Sequence, residues 1–309
     1  MTEIPARGAA GGSQPVRSNT RSGKLAAAAA RRLSALLLTV VASVVLGAAL
    51  VRLAPGFGMD ERQMDLRLNE ESLAAMRAQG QSTGILTACR DYLSGLARGD
   101  WGVSVALGRP VRELMADRAG LTVRNLAGGL VLAWALSLAV GFALAVARRR
   151  AWDTSVTLLT GGLLCIPTGI VALVFLYFAA PSAWALAAVL FPRIFRYVRN
   201  ILQDSARRPH VLAARARGCG RLALVWRHVS VPSLPELFAL VGVSLSMAVG
   251  AIIPVEALCD SPGVGQLVWQ SAMGRDLPVL MHATVLVAVV TCAANLFSDT
   301  ARALVTREV

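Results

Sequence analysis

The sequence predicts an all-α, polytopic membrane protein with about six transmembrane helices. Of its 309 residues, 55% are hydrophobic, and the mean hydropathy of +0.59 exceeds that expected of an ordinary soluble domain. The apolar residues are gathered in runs long enough to cross a bilayer as helices. The arginines are gathered between these runs, as in the cytoplasmic loops of membrane proteins.

Six apolar runs divide the chain, and each is interpreted as a transmembrane helix. The first, at 33–51, follows a segment at 1–32 that is predicted to be a disordered, basic cytoplasmic tail. A cleaved signal peptide is the alternative interpretation of this first run. Residues 52–124, with ten arginines against nine acids, are predicted to form an external region. The other five runs lie within a transmembrane core at 125–305, at 125–147, 154–179, 184–195, 234–255 and 278–305.

Two of these runs have features of their own. Pro167 lies inside the third run, where a proline removes a backbone donor and predicts a kink. The fourth run, 184–195, is short for a membrane crossing.

The formal net charge of +13 comes almost entirely from arginine. A basic chain can bind nucleic acid, but here the arginines separate apolar runs, which favours membrane orientation over a nucleic-acid partner. The segment 193–233 has nine arginines and one acid, Asp204, and is predicted to be a cytoplasmic loop. Arg31, Arg32 and the three arginines at 148–150 would lie on the same side, which places both termini in the cytoplasm.

The stretch 210–236 is basic and ordered enough to suggest a docking element between two spans. Pro209 suits the first position of a helix, and Gly218 and Gly220 are predicted to end that helix in the left-handed conformation. A second helix, at 221–229, is expected to stop before Pro232 and Pro235. The alternative is an arginine-rich loop that only sets the orientation of the chain.

A second distinctive block, at 256–267, lies in the segment 256–277, which precedes the last apolar run and is predicted to be an external loop. It contains Glu256, Pro262, Gly263 and Gly265. The paired glycines predict either a positive φ or a close approach to a neighbouring group. Glu256 is interpreted as an interfacial or paired carboxylate and not as a substrate ligand. Farther on, Arg275 and Asp276 are expected to pair locally.

The sequence has no motif for enzyme chemistry. It lacks the G-x-x-x-x-G-K-[ST] phosphate loop, so the chain itself is not expected to bind ATP. It also lacks H-E-x-x-H, G-x-S-x-G and C-x-x-C, and its three histidines are far apart. No catalytic residue, cofactor or metal site is therefore predicted.

Several spaced motifs carry a family resemblance. The basic stretch resembles the cytoplasmic loop of ABC-importer permeases, in the first-subunit branch of the dipeptide/oligopeptide/nickel family. The resemblance extends over roughly 90–299. The matching residues of the loop are Ala214 to Gly218, Arg227, His228, Pro232 and Pro235, and the others are Gly99 to Gly102, Ser104, Pro110, Val111, Leu114, Glu256, Pro262, Gly263, Gly265, Leu267, Arg275, Asp276, Pro278, Asn295, Leu296 and Asp299.

The resemblance implies a type I importer permease fold in the inner membrane of a bacterium. It implies four kinds of partner: a second permease subunit, ABC subunits that bind and hydrolyse ATP, an extracytoplasmic solute-binding protein, and membrane lipid. The ATPase-coupling residues that it implies are Ala213, Ala214, Arg215, Ala216, Arg217, Gly218 and His228. The residues of its external loop motif are Glu256, Pro262, Gly263, Gly265, Arg275 and Asp276.

The alternative function is a non-transporting membrane scaffold that keeps the ATPase-docking loop. Three departures from the family pattern favour it: a shortened connection between the third and fourth runs, a divergent region around Asp60, and the lack of the family's C-terminal motif. An intramembrane enzyme is a third and more distant possibility. The motifs do not identify the transported solute, because in this family the loop contacts the ATPase and not the solute.

Overall fold

The computed structural model describes residues 98–147 and 149–305, together with residues 34, 38, 39, 41, 42, 45, 94 and 95; the side chains of 299 and 301–305 are outside the description. The chain divides into two compact units, Met1–Leu38 and Thr39–Val309. Ser34 and Leu38, the described residues of the first unit, are helical. The predicted tail at 1–32, most of the first span and most of 52–97 lie outside the described residues. Everything below belongs to the second unit.

The described part of this unit consists of helices joined by short connections, which confirms the predicted all-α class. An isolated β-bridge between Val103 and Pro110 is the one β pairing among the described residues. The helices are α1 (Val111–Ala147), α2 (Arg150–Cys165), α3 (Thr168–Tyr177), α4 (Ser182–Ala206), α5 (Pro209–Ala216), α6 (Arg221–Leu258), α7 (Val264–Met273) and α8 (Leu277–Val305).

Three of the described helices are long and apolar enough to cross a membrane: α1, α6, and α8 over Leu277–Ser298. Helices α2 and α3 would make a fourth span if they are counted together. Helix α1 has 37 residues, or about 56 Å of helix, so it is longer than the ~30 Å hydrocarbon core of a bilayer. These findings support a polytopic membrane protein, whereas the predicted total of six spans is not reached within the described residues.

The break at Pro167 divides the predicted third span into two helices. Helices α2 and α3 meet at 93°, and Ile166 is extended, with φ −78° and ψ 122°. This is the conformation that a following proline imposes on its neighbour. The predicted kink is therefore present, and it is a sharp corner.

Helix α4 replaces the predicted short fourth span and extends well beyond it. It has 25 residues and continues through Pro192. One face is fully buried, with Leu186, Leu190, Ile194, Phe195 and Val198 at or near 0% exposure, while arginines occupy other positions. These arginines explain why α4 is less apolar than the three spanning candidates. It serves as the central helix against which α1, α3 and α6 pack.

A stripe of small residues lets α1 approach α4 closely. Gly129, Ala133, Ser137 and Gly141 recur every fourth residue on α1, and all four are buried. A β-carbon on Gly129 would lie 2.8 Å from Leu186 of α4. Close contact through small residues is a general means of packing helices in membranes, where apolar burial alone does not drive association.

A second close contact joins α6 to α8. A β-carbon on Gly242 would lie 2.4 Å from the β-carbon of Ser298, and the Ser298 hydroxyl donates to the Ala239 carbonyl. Helix α1 is tied to α6 by a bond of 2.9 Å from the Trp134 Nε1–H to the Ser244 hydroxyl.

Candidate functional site

The basic stretch forms a short insert between α4 and α6. Of the predicted loop 193–233, residues 193–206 belong to α4 and 221–233 to α6, so only 207–220 connects them. Helix α5 occupies most of this connection. Its Val211 and Ala214 are buried against the bundle, with 4% and 0% exposure. The opposite face is exposed and includes Ala213, Arg215 and Ala216.

The turn after α5 is built around Gly218, which has a positive φ of +81°. The Gly218 N–H donates to the Arg215 carbonyl at 3.0 Å, and the Cys219 N–H donates to the Ala214 carbonyl at 3.3 Å. This pair of bonds is the Schellman arrangement that ends a helix with a left-handed residue. The predicted left-handed ending is thus confirmed at Gly218. It is wrong at Gly220, which is extended, with φ −61° and ψ 152°.

The predicted helix stop before Pro232 and Pro235 is also wrong. Helix α6 continues through both prolines as one element of 38 residues. Its residues Leu224–Ser230, just before the prolines, are π-helical. Pro232 cannot supply an N–H to the carbonyl of His228, four residues before it. The ring Nε2–H of His210 in α5 donates to that carbonyl at 3.0 Å instead.

Further contacts join the end of α4 and the insert to the beginning of α6. The hydroxyls of Ser205 and Ser233 donate to the Val229 carbonyl at 3.1 Å and 2.7 Å. Arg208 forms an ion pair of 2.9 Å with Glu236. The end of α4, the insert and the first turns of α6 therefore form one connected unit. The contacts of Ser205, Arg208 and His210 join residues 18 to 28 positions apart, and no sequence pattern indicated them.

The structure brings the predicted coupling residues together in this unit. Ala213, Arg215, Ala216, Arg217 and Gly218 are exposed, and Ala214 is buried. His228 is half-buried and contributes its backbone carbonyl to the bond from His210.

At its other end, α6 delivers Glu256 into a buried polar cluster. The Glu256 side chain has 0% exposure. Its Oε2 accepts from the Thr122 hydroxyl at 3.0 Å and from the Gly265 N–H at 2.8 Å, and its Oε1 accepts from the Asn125 amide at 3.0 Å. Asn125 also donates to the Ser261 hydroxyl at 3.2 Å. We call Thr122, Asn125, Glu256, Ser261 and Gly265 the Glu256 cluster.

The Glu256 side chain is fully buried inside the protein, and its partners are neutral donors from α1 and α7. The ion pairs of the described residues do not include Glu256, and its position at the membrane interface stays a prediction. These neutral donors point at both carboxylate oxygens, so the site requires two acceptors on one side chain. Nor is 256–277 a simple external loop, since it contains α7.

Gly263 and Gly265 make room for this carboxylate. A β-carbon on Gly263 would lie 2.1 Å from Oε2 of Glu256, and one on Gly265 would lie 2.9 Å from it. Gly263 has φ −96° and ψ −176°, which any residue can adopt. Of the two reasons predicted for these glycines, close approach is therefore the one that applies. Pro262, between Ser261 and Gly263, is exposed.

Asp276 anchors a second, neighbouring contact. Its side chain is 1% exposed, and its Oδ2 accepts from the Ser104 hydroxyl and from the Ala106 N–H. The predicted local pair with Arg275 is not one of these contacts; Arg275 has a positive φ of 52°. Beside Asp276, Trp101 stacks on His282 of α8 at 5.0 Å. The turn before α1 is therefore fastened to the start of α8.

Comparison with protein-family models decides the class of the chain. Residues 137–309, more than half of the sequence, match the model described as binding-protein-dependent transport system inner membrane component. The chain belongs to this family. It is a permease subunit of an ABC importer located in the bacterial inner membrane, as the motifs of its sequence predict.

Named relatives of this permease cover most of its length. It is 26% identical, over 86% of its own chain and 93% of the other, to a Brucella suis biovar 1 protein whose name describes a peptide permease. It is 26% identical to the oligopeptide transport system permease protein OppB of Salmonella typhimurium (77% of this chain, 84% of that one). It is 25% identical to the oligopeptide transport system permease protein AppB of Bacillus subtilis (69% and 77%).

Proposed function

We propose that this permease forms part of a gated membrane path for peptides and couples that path to partner ATPases through residues 210–236. The single observation that carries the proposal is the architecture of the insert. A short helix, α5, is fixed to the bundle by its buried face and presents small residues and arginines on its exposed face. Small side chains permit a close approach by a partner, and exposed arginines can bind its carboxylates.

Movement of α5 would be passed directly to α6. The bond from His210 to the His228 carbonyl and the ion pair between Arg208 and Glu236 hold the insert against the beginning of that helix. Helix α6 has 38 residues in all, about 57 Å of helix, and carries Glu256 near its other end. A displacement imposed by ATP-driven closure of the ATPases could therefore reach the opposite end of the permease through one helix.

The opposite end is the proposed external face. There the Glu256 cluster and Asp276 hold together α1, α6, α7 and the turn before α1. A solute-binding protein would deliver its cargo to this face, and a second permease subunit would complete the path. Peptides are proposed as the cargo because the named relatives are peptide and oligopeptide permeases.

The proposed function is tested by transport in the assembled system. The permease would be co-expressed with its second permease subunit, ATPases and binding protein, and reconstituted in proteoliposomes with a labelled oligopeptide. We expect uptake that requires both ATP and the binding protein. Co-purification of the ATPases without any uptake would instead support the non-transporting scaffold.

The exposed arginine at the end of α5 provides a test of docking. We expect Arg217→Glu to weaken ATPase association, and to do so more at low salt than at high salt, because ions screen charge repulsion. The measurement is co-purification of the ATPase across a salt series. The control is Arg112→Glu, an identical charge change at an exposed site near the start of α1. Equal behaviour of the two variants would remove Arg217 from the docking surface.

The orientation of the chain is a further part of the proposal, with the insert and both termini in the cytoplasm. Cys219 is exposed in the turn after α5 and should react with an impermeant maleimide only after the membrane is opened. Cys259, at the other end of α6, is a poor external reporter, since burial raises the pKa of its thiol. The external reporter is therefore Met273→Cys at an exposed position, in a chain whose other cysteines are serine. Labelling of Cys219 in intact cells would overturn this orientation.

A further inference from the structure

A basic cavity lies at the insert end of the bundle, beside α5, and Arg215 of that helix is among its lining residues. It has a volume of about 500 Å³ and is lined by α1, α2, α4, α5 and the beginning of α6. This volume falls within the range of about 300–1,000 Å³ that is usual for small-molecule sites. Of the predicted coupling residues, Arg215 alone lines this cavity, and Arg217, which carries the docking test, does not.

The cavity wall has an excess of positive charge. Five arginines line it: Arg149, Arg150, Arg199, Arg207 and Arg215. The one carboxylate in the lining, Asp153, binds Arg199 through two bonds of 2.6 Å and 2.5 Å, and it also accepts from Gln203. Within the part of the chain that the structure describes, the other four arginines form no ion pair. They are available to bind an anion.

The floor of the cavity is apolar. It is formed by Leu144, Leu202, Val211, Leu224 and Val229, of which the last four are at most 7% exposed. A free inorganic anion would leave this surface without a partner. A ligand with a charged head and an apolar body would fill both parts.

The depth of the cavity matches the membrane interface. Gly141, Leu144 and Ala145 belong to the last two turns of the spanning helix α1, and Arg149 follows directly. The change from apolar helix to arginines marks the level at which lipid headgroups lie. A basic pocket between helices at this level has the chemistry that binds anionic headgroups.

We propose that this cavity is a binding site for one anionic phospholipid. Arg149, Arg150, Arg207 and Arg215 bind its phosphate-containing headgroup, and the apolar floor receives the first part of an acyl chain. Because the site is bounded by α5 as well as by three long helices, a bound lipid braces the insert against the bundle. Occupancy of the site would thus set how firmly the insert is held when an ATPase docks on its other face.

The test is native mass spectrometry of the purified full-length chain with added phospholipid. Phosphatidylglycerol and phosphatidylcholine with the same acyl chains are compared, and inorganic phosphate is added in excess as a competitor. The wild-type chain should retain phosphatidylglycerol preferentially, and phosphate alone should not displace it. One arginine near an anionic headgroup contributes about fivefold in affinity, so Arg149→Gln with Arg207→Gln should weaken binding about 25-fold.

Two further variants make the result decisive. Arg221→Gln with Arg227→Gln removes the same charge from exposed positions outside the cavity, and it should change binding less than about twofold. Ala145→Trp fills the apolar floor without a change of charge, and it should also abolish retention. If the two double variants lost phosphatidylglycerol binding equally, the proposed site would be overturned, because the lipid would then be held by the general positive charge of the chain. If phosphate displaced phosphatidylglycerol and Ala145→Trp bound the lipid normally, the cavity would be a site for a simple anion and not for a lipid.

Discussion

Gly263→Val is expected to abolish transport while the chain still inserts into the membrane. The reason is steric, because even the β-carbon would lie 2.1–2.4 Å from the carboxylate atoms of Glu256. The carboxylate would have to leave its position, and Thr122, Asn125 and the Gly265 N–H would lose their acceptor. A buried donor without a partner costs about 1–3 kcal/mol, so several kcal/mol would be lost where α1, α6 and α7 meet.

The measurement for Gly263→Val is peptide uptake in the reconstituted system, with membrane abundance and thermal stability measured in parallel. The matched control is Gly250→Ala in α6, where a β-carbon meets no atom within 4 Å. In that variant the better helix propensity of alanine should leave stability unchanged or raise it by about 0.5–1 kcal/mol. If Gly263→Val took up peptide normally, the 262–265 segment would have no role in transport beyond connecting α6 to α7.

A double-mutant cycle tests whether substitutions at Gly263 act through the Glu256 carboxylate. Gly263→Ala alone should be damaging, and Glu256→Ala alone should be damaging because it removes the acceptor. In the double variant the alanine at 263 no longer meets a carboxylate, so the two effects should not add. Strict additivity would mean that Gly263 acts through some contact other than Glu256. Glu256→Gln should also destabilise the protein. The glutamine N–H₂ is a donor, and it would face the neighbouring donors that the carboxylate oxygen now accepts from.

Gly218→Leu is expected to eliminate solute-stimulated ATP hydrolysis by the partner without loss of membrane insertion. Gly218 has a φ of +81°, and for a residue with a β-carbon the left-handed conformation costs about 1–2 kcal/mol. The cheaper response is to rotate the turn, which breaks the bonds from Gly218 to Arg215 and from Cys219 to Ala214. The exposed face of α5 would then point in a different direction.

The assay for Gly218→Leu is co-purification of the ATPase, followed by hydrolysis with and without solute. Gly220→Leu is a close control, because Gly220 is two residues away and extended, and neither glycine has an atom within 4 Å of its would-be β-carbon. Gly218→Asn should retain much of the activity, since asparagine tolerates the left-handed region. Wild-type docking and hydrolysis in Gly218→Leu would favour a scaffold that does not couple.

The features that follow from local sequence were predictable. Apolar runs and arginine placement gave the helical membrane class, and the motifs gave the family. The corner at Pro167 and the left-handed Gly218 follow from the backbone preferences of single residues. Pro232 misled the prediction because the His210 side chain replaces its missing N–H at the His228 carbonyl, just after a π-helical segment. Pro235 also lies inside α6, and no described contact explains how it is accommodated.

What the sequence could not provide depends on distant partners. Glu256 finds Thr122 and Asn125 at separations of 134 and 131 residues, and nothing local to Glu256 indicates either. Helix α4 was underestimated because its arginines interrupt the apolar run, although its buried face continues past them to Leu202. The small residues of α1 have the four-residue spacing typical of close helix packing, a signal that was present in the sequence and could have been used.

The glycine contacts between helices also constrain how this permease can move. At Gly129, α1 packs closely against Leu186 of α4, and at Gly242, α6 packs closely against Ser298 of α8. Surfaces fitted this closely resist sliding, because a small shift brings backbone and side chains into collision. Each of these two helix pairs should therefore travel as a single block during a transport cycle. Opening and closing would then take place at the contacts between such blocks and at the corner at Pro167.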